Sequence, residues 1–454
     1  MATAIQEPLA VSTRPRPLRF FGLIGIIFFC VAGGAYGLED AVGDAGPKWA
    51  LLALLIVPWL WSLPMALMTA ELSTMLPADG GYVVWVDRAF GRFAGFQVGW
   101  WSWMASFADN ALYPVLFAEY LKFWFPHMNS TAYWLVCLAV IALFTWLNIR
   151  GTQIIGFSSI TFTLLVLAPF AAMVVLGLPH LKPSVWTLPH SIAWSGLLTV
   201  VLWNYAGWES AGCCAGEVHA PARTYPKALV VTVVLTVVAY VLPIAVGVCA
   251  SQDWSQWKDG YFPDVARAIG GNSLGSWMML GGLFSAVGLF SAGLLTTSRV
   301  PFAMAQRATL PAALTRLHPR YRTPWIAILV TSLGSALLIY WARLGNNDDS
   351  SPFAALLKID MFLYALSLVL EFGALIRLRM REPAAARPYR VPGGLPGTIL
   401  LSVPPVALCI VLVAICPHPA QLLGLGITVA GWLVYAIGFR KRPPEALVTS
   451  EAAE

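Results

Sequence analysis

The sequence predicts an all-α integral membrane protein with twelve transmembrane helices, and three observations carry that expectation. Of 454 residues 58% are hydrophobic and only 11% charged, with a mean hydropathy of +0.72, whereas soluble domains carry roughly a quarter charged residues. Segments free of Asp, Glu, Lys and Arg recur along the whole chain, many near the ~20 residues that a bilayer-spanning helix requires. The loops between them are short, and none is long enough for a soluble domain.

In chain order the spans fall at 20–38, 49–70, 93–121, 132–149, 151–181, 183–208, 228–252, 268–298, 323–342 and 353–376, followed by two more within 391–439. The third reaches full length only if Asp109 is tolerated inside it, and the tenth also contains charges. The last stretch is too long for one crossing, and Cys416-Pro-His-Pro419 divides it into helices eleven and twelve. The expected organisation is a cytoplasmic tail (1–19), a first five-helix repeat (20–178), a second (195–381), helices eleven and twelve (396–440) and a cytoplasmic C-terminal tail (441–454).

Of the 28 Lys and Arg, an N-terminus in the cytoplasm places 21 inside and six outside, with Lys358 within a span. The positive-inside rule therefore puts both termini in the cytoplasm, in keeping with an even helix count. Residues 1–19 lack an apolar core and a cleavage site, so the first span is expected to be retained. The plasma membrane is the expected location.

Composition excludes other classes. Twenty Trp and few charges argue against a disordered or nucleic-acid-binding chain. There is no Gly-Lys dipeptide, hence no phosphate-cradling loop for ATP. The seven Cys and six His show neither a disulfide framework nor metal-ligand spacing. No nucleophile is paired with a base in a span, and no cofactor, metal or enzymatic activity is expected. A channel is disfavoured because no filter-like loop is evident.

Two spans carry interruption signals. The first has Gly33, Gly34 and Gly37 near its middle with Glu39 and Asp40 immediately after, and the sixth has Asn204, Gly207 and then Glu209. Non-helical backbone at membrane depth is tolerated where it lines a cavity. Paired interruptions at the start of two five-helix halves point to an inverted-repeat secondary transporter with its site at the midplane. Close packing through small residues is the competing reading for either helix alone.

Several motifs then carry a resemblance. PADGGYVVWVDRAFGRFAGFQVGWWSW (77–103) resembles the loop and third helix of the amino acid–polyamine–organocation (APC) superfamily of transporters. GGAYGLEDAV (33–42), FADNALYPVLFAEYLK (107–122), AGEVHAPARTYPKAL (215–229) and LEFGALIRLRMREPAAARPYRVPGG (370–394) are most similar to its plant and protist polyamine-uptake, L-type-like branch. The resemblance implies the LeuT-type 5+5 fold with helices one and six broken, helices three, eight and ten completing the site, and a proton gradient rather than ATP as energy source. One departure is that 151–181 lacks the lysine that many superfamily members carry in helix five. A membrane-embedded carboxylate would then have to carry the proton, and Asp109 and Glu209 are the candidates.

The charges speak about the substrate independently. Glu39, Asp40, Glu71, Asp109, Glu209, Asp360 and Glu371 lie within spans, against Lys358 as the one base clearly inside. Each such acid costs about 2.5–3.5 kcal/mol at the bilayer centre on insertion scales, so together they require an aqueous cavity, partners or protons. A cavity of that sign favours cations, and a di- or polyamine more than a zwitterion. Asp109, in mid-helix, is the first candidate ligand, Glu209 the second and Glu39 the third, while Asp40, 100° further round, faces the outer vestibule. Glu71 and Glu371 are expected to pair with Arg88, Arg92 or Arg377; Asp360 pairs with Lys358 or lines the outer gate. Glu217, followed by Arg223 and Lys227, is the inner-gate candidate.

Aromatics complete an amine site, since a desolvated cation–π contact is worth about 2 kcal/mol. Tyr36, Trp203 and Trp208 flank the interruptions, and Trp100, Trp101 and Trp103 precede Asp109. The expected ligand set is therefore Gly33, Gly34, Tyr36, Glu39, Asp109, Trp203, Trp208 and Glu209. The stripe Gly281, Ser285, Gly288, Ala292 is sufficiently explained by helix packing. The function expected is import of a cationic amine such as putrescine or spermidine by proton symport with alternating access. The rival is a neutral or cationic amino acid transporter whose substrate carboxylate sits on the amides of 33–37.

Overall fold

The computed structural model describes residues 20–76, 80–151, 159–187, 191–210, 221–251, 253–307, 309–345 and 352–439, and among these the secondary structure is helical with no β-strand. The helices are α1 (Phe20–Val31), α2 (Glu39–Leu60), α3 (Ser62–Met75), α4 (Tyr82–Phe90), α5 (Arg92–Leu121), α6 (Ser130–Arg150), α7 (Ser159–Gly177) and α8 (Trp194–Asn204). After these come α9 (Pro221–Ala250), α10 (Phe262–Thr297), α11 (Arg299–Gln306), α12 (Trp325–Gly345), α13 (Pro352–Arg381), α14 (Gly394–Ile415) and α15 (His418–Phe439). Eight helical stretches among the described residues are long and apolar enough to cross a bilayer: Glu39–Met75, Ser130–Arg150, Pro226–Ala250, Phe262–Gln306, Trp325–Ala342, Phe353–Arg381, Gly394–Ile415 and His418–Gly438.

Glycine and proline set the breaks within these helices. Gly46, at φ 70°, precedes Pro47, which has no N–H to offer the preceding turn, so α2 bends after its first two turns. Gly270 and Gly271 bend α10 in the same way, Gly271 at φ 71°. At the start of α6, the Asn129 side chain accepts the Ala132 N–H at 2.8 Å, a standard N-cap.

At 30 residues α5 is one of the longer helices, yet it is not among the eight apolar stretches. The physical reason is its position: it packs against α13, α10, α4 and α12, and its polar and small residues face protein rather than lipid. The helices at the periphery show the opposite character. Leu52, Leu55, Ile56 and Trp59 on α2, Leu400, Val403 and Ile410 on α14, and Leu422, Leu425, Trp432 and Ile437 on α15 are all exposed, the apolar surface that lipid chains cover. Trp100 and Trp101 donate to the Ile427 carbonyl and Thr428 Oγ1 and Trp103 to Thr331 Oγ1, so these three indoles fasten α5 to α15 and α12.

A buried ion-pair cluster ties α3 to α13. Glu71 Oε1 accepts from Arg379 Nε at 2.8 Å, Glu71 Oε2 accepts from the other arm of the same guanidinium and from the Val391 N–H, and Arg387 Nε lies 3.3 Å from Oε1. The partners expected from sequence were Arg88, Arg92 or Arg377. Arg88 instead bonds Glu382 at 2.8 Å, and Arg377 lies over the Phe90 ring.

Candidate functional site

Between α1 and α2, residues 32–38 leave the α-helix, with Gly33, Gly34 and Gly37 at φ 53°, 91° and 84°. Only glycine takes that left-handed backbone without strain. The freed backbone groups find side-chain partners: Ser285 Oγ donates to Gly33 O, Tyr240 Oη to Ala32 O at 3.0 Å and Asn204 Nδ2 to Gly37 O at 3.2 Å. Gly33 also leaves no room for a side chain, because a Cβ there would overlap Leu289.

A second departure from helical backbone lies next to the first. Helix α8 ends at Asn204, Gly207 sits at φ 90°, and its N–H donates to Tyr364 Oη at 3.1 Å. Tyr205 O accepts from Ser62 Oγ, and Asn204 O accepts from Tyr240 Oη at 2.9 Å. One phenol of α9 thus touches a carbonyl in each of the two segments.

Both segments open onto one cavity of about 140 Å³, roughly ten times the room that a single water needs. Among the described residues four carboxylates line it, Asp109 of α5, Glu209 after α8, and Asp360 and Glu371 of α13, and no Lys or Arg does. Asp109 Oδ1 accepts from Tyr113 Oη at 3.0 Å and from Trp203 Nε1 at 3.2 Å. Glu209 Oε2 accepts from Tyr364 Oη at 2.7 Å. Glu371 is 2% exposed and its Oε2 has no hydrogen-bond partner among the described residues. The acids are spread along the cavity rather than converged: among the described residues no three His, Cys, Asp or Glu meet at a point that would hold an ion.

The expected ligands divide accordingly. Tyr36, Asp109, Trp203 and Glu209 line the cavity, as does the gate candidate Asp360. Gly33, Gly34, Glu39 and Trp208 do not. Gly33 and Gly34 shape the backbone behind it, and Trp208 is buried with its Nε1 donating to Tyr205 O. Glu39 is fully buried, accepting from Tyr120 Oη at 2.6 Å, from the Gly37 N–H at 2.7 Å and from the Phe262 N–H at 3.4 Å. Glu217 lies outside the described residues.

One end of the cavity is closed by aromatic packing. The Tyr36 ring sits 4.6 Å from Phe170, 5.0 Å from Tyr120 and 6.3 Å from Phe262, while its hydroxyl donates to the Met278 carbonyl at 2.9 Å. The small residue Gly281 makes this fit, since a Cβ there would overlap the Tyr36 hydroxyl. Beyond the plug, in the loop before α10, Asp259 donates its N–H to Asp40 Oδ1 at 2.8 Å, and its own Oδ2 is buried with no hydrogen-bond partner among the described residues. Burial, with Asp40 and Glu119 nearby, pushes the Asp259 carboxyl well above the usual range.

Tyr113 and Tyr364, which orient Asp109 and Glu209, were not among the expected ligands, and neither was Glu371. The signal was present in the spacing: Tyr113 stands four residues after Asp109 and Tyr364 four after Asp360, the interval that stacks side chains on one helical face.

Comparison with known proteins places this geometry. Residues 18–439 match the family model described as amino acid permease. Polyamine transporter RMV1 of Arabidopsis thaliana is 37% identical over 431 residues, covering 94% of this chain and 86% of its own length. Polyamine transporter PUT1 of Oryza sativa subsp. japonica is 39% identical, covering 92% and 77%, and the serine/threonine exchanger SteT of Bacillus subtilis (strain 168) is 27% identical, covering 82% and 85%. Among solved structures, a mutant of the Eremococcus coleocola manganese transporter superposes with a TM-score of 0.63 at 16% identity, over 93% of this chain and 94% of its own.

Proposed function

Since the chain belongs to the amino acid permease family, we propose that it is a secondary transporter that carries a linear polyamine, such as putrescine or spermidine, across the membrane. It is a multi-pass membrane protein, and the observation that carries the substrate class is one cavity lined by Asp109, Glu209, Asp360 and Glu371 with no basic residue among the described lining residues. Several separated carboxylates suit several ammonium groups joined by methylenes, and the Trp203 and Tyr113 rings beside Asp109 supply apolar and cation–π surface. The polyamine transporters among its relatives support the same reading.

The rival, an amino acid carrier, is weakened at one of the amides it would use. The Gly37 N–H already faces a carboxylate of the chain itself, Glu39, with Tyr120 alongside. A substrate carboxylate at that amide would displace Glu39 from a fully buried position.

The architecture proposed is twelve crossings: helices one and six interrupted at 32–38 and after Asn204, two five-helix repeats over 20–178 and 195–381, then helices eleven and twelve over 396–440. The tails at 1–19 and 441–454 would lie in the cytoplasm, and the plasma membrane is the proposed location. With that orientation the cavity faces inward, because Tyr82 of α4, on the side of Arg88 and Arg92, lines it while the Tyr36 plug closes the outer end. Coupling to protons is proposed to run through Asp109 or Glu209, the two acids held in place by donors. The inside-negative potential would add about 2.3 kcal/mol per charge per 100 mV.

The test is uptake of labelled putrescine and spermidine into proteoliposomes with an inward proton gradient, competed by leucine and arginine. Polyamine uptake that leucine leaves untouched and that Asp109→Asn abolishes supports the proposal. Leucine uptake with inert polyamines rejects it. Equal uptake with and without the pH gradient at fixed voltage removes the proton.

A further inference from the structure

The four acids of the cavity are not equivalent. Asp109 and Glu209 are each oriented by tyrosine or tryptophan donors, whereas Glu371 Oε2 has no partner among the described residues, and no ion pair or hydrogen bond reaches Asp360 there. Both bare carboxylates are buried, at 5% exposure for Asp360 and 2% for Glu371, and both belong to α13. Eleven residues separate them, which on a straight α-helix returns to within about 20° of the same face after a rise of about 16 Å. Tyr364, four residues after Asp360, lies between them on that face and also lines the cavity.

The arginines near Glu371 are engaged elsewhere. Arg379 and Arg387 are bound to Glu71, and Arg377 is stacked over Phe90. An uncompensated buried carboxylate beside open space is strongly unfavourable unless a counter-charge or a proton arrives. A structural salt bridge, the role expected for Glu371 from sequence, is therefore not what the side chain does among the described residues.

Resting on the polyamine reading above, we propose that Glu371 is a substrate anchor that selects for chain length. It would receive the far ammonium of a long polyamine whose near ammonium is held at Asp360, with the inner nitrogen passing Asp109 and Glu209. A four-carbon diamine is too short to bridge two carboxylates set three helical turns apart. It would occupy the Asp109 and Glu209 level and leave Glu371 unused. The cavity would thus prefer tri- and tetraamines over diamines, and Glu371 would be the residue that makes the distinction.

The experiment is uptake of putrescine, spermidine and spermine by full-length wild-type, Glu371→Gln and Glu371→Asp protein in proteoliposomes. Glu371→Gln should lower kcat/KM for spermidine and spermine about tenfold or more, as removal of one ammonium–carboxylate contact does, while putrescine changes little. Monodispersity on size exclusion before reconstitution is the control for folding. Glu371→Asp, which keeps the charge on a shorter arm, should fall between. Equal losses for all three amines, no loss for any, or an altered pH profile with unchanged amine preference would overturn the proposal. Should Glu371→Gln fail to fold, competition binding to detergent-solubilised wild type decides: putrescine competing as well as spermidine overturns it. A wild type that moves no polyamine at all fails the underlying reading instead, and that outcome is distinct from each of these.

Discussion

Trp203 at the end of α8 donates its indole N–H to Asp109 Oδ1 in the middle of α5, at 3.2 Å, and Tyr113 donates to the same oxygen at 3.0 Å. Both donors fall on one oxygen, which orients a carboxylate that lines the cavity. The relationship also joins the end of α8 to the long helix α5, so a change at α8 is felt at the acid.

Asp109→Asn should therefore reduce polyamine kcat/KM by at least about 30-fold, the lower bound for losing one partner of a buried charge pair. Trp203→Phe keeps an aromatic ring at the site but removes the indole N–H together with the five-membered half of the ring system. It should cost about 10- to 100-fold, the range for a hydrogen bond to a charged group. Initial rates of labelled spermidine uptake measure both.

Tyr364→Phe tests the second acid. It removes the 2.7 Å bond to Glu209 and the acceptor for the Gly207 N–H at once. A loss of about tenfold in uptake with protein yield unchanged is expected, and a wild-type rate would show that Glu209 needs no orienting donor.

Gly33→Ala meets two obstacles, a backbone at φ 53° and the side chain of Leu289. The backbone conformation alone costs about 1–3 kcal/mol in a non-glycine residue. Pairing it with Leu289→Ala should restore only the steric share, so the double variant should melt above Gly33→Ala and below Leu289→Ala in a thermal scan.

Glu71→Gln leaves Arg379 and Arg387 buried without a counter-charge, at side-chain exposures of 6% and 1%. Breaking such a pair costs about 3–5 kcal/mol. The expected result is loss of monodisperse protein on size exclusion, and Glu71→Asp should recover part of it.

Asp259→Asn addresses the outer loop. Burial holds the Asp259 carboxyl well above its usual range, so the folded state binds a proton more readily than the unfolded one. Its ionised form therefore opposes folding at pH values above the folded pKa, and that opposition fades as pH falls through it. The amide variant should melt higher than wild type at pH 7.5 and converge with it under acid conditions. A constant difference across pH would assign the effect to something other than the charge.

Much of this was legible in the chain. Apolar stretches marked most of the membrane helices, and the clusters Gly33, Gly34, Gly37 and Asn204, Gly207 fall where the backbone leaves the helix. Asp109 and Glu209 stood out because a charge in an apolar run needs a polar surrounding. The partners of Glu71 were not legible. Arg377, Arg379 and Arg381 alternate along α13, and which of them faces α3 depends on the rotation of α13 about its axis. Packing against α5, α14 and α4 fixes that rotation, and no local pattern reports it. Glu39 illustrates a different limit: an acid just after an interruption can face a ligand or satisfy the backbone beside it, and the structure gives it to the Gly37 N–H.

The Tyr240 hydroxyl lies 3.0 Å from Ala32 O and 2.9 Å from Asn204 O. A phenol has one proton, which serves two acceptors well only while they stay close together. Any motion that parts the two segments must break one of these two hydrogen bonds. The phenol therefore works as a latch, making joint travel of the segments cheap and their separation dear.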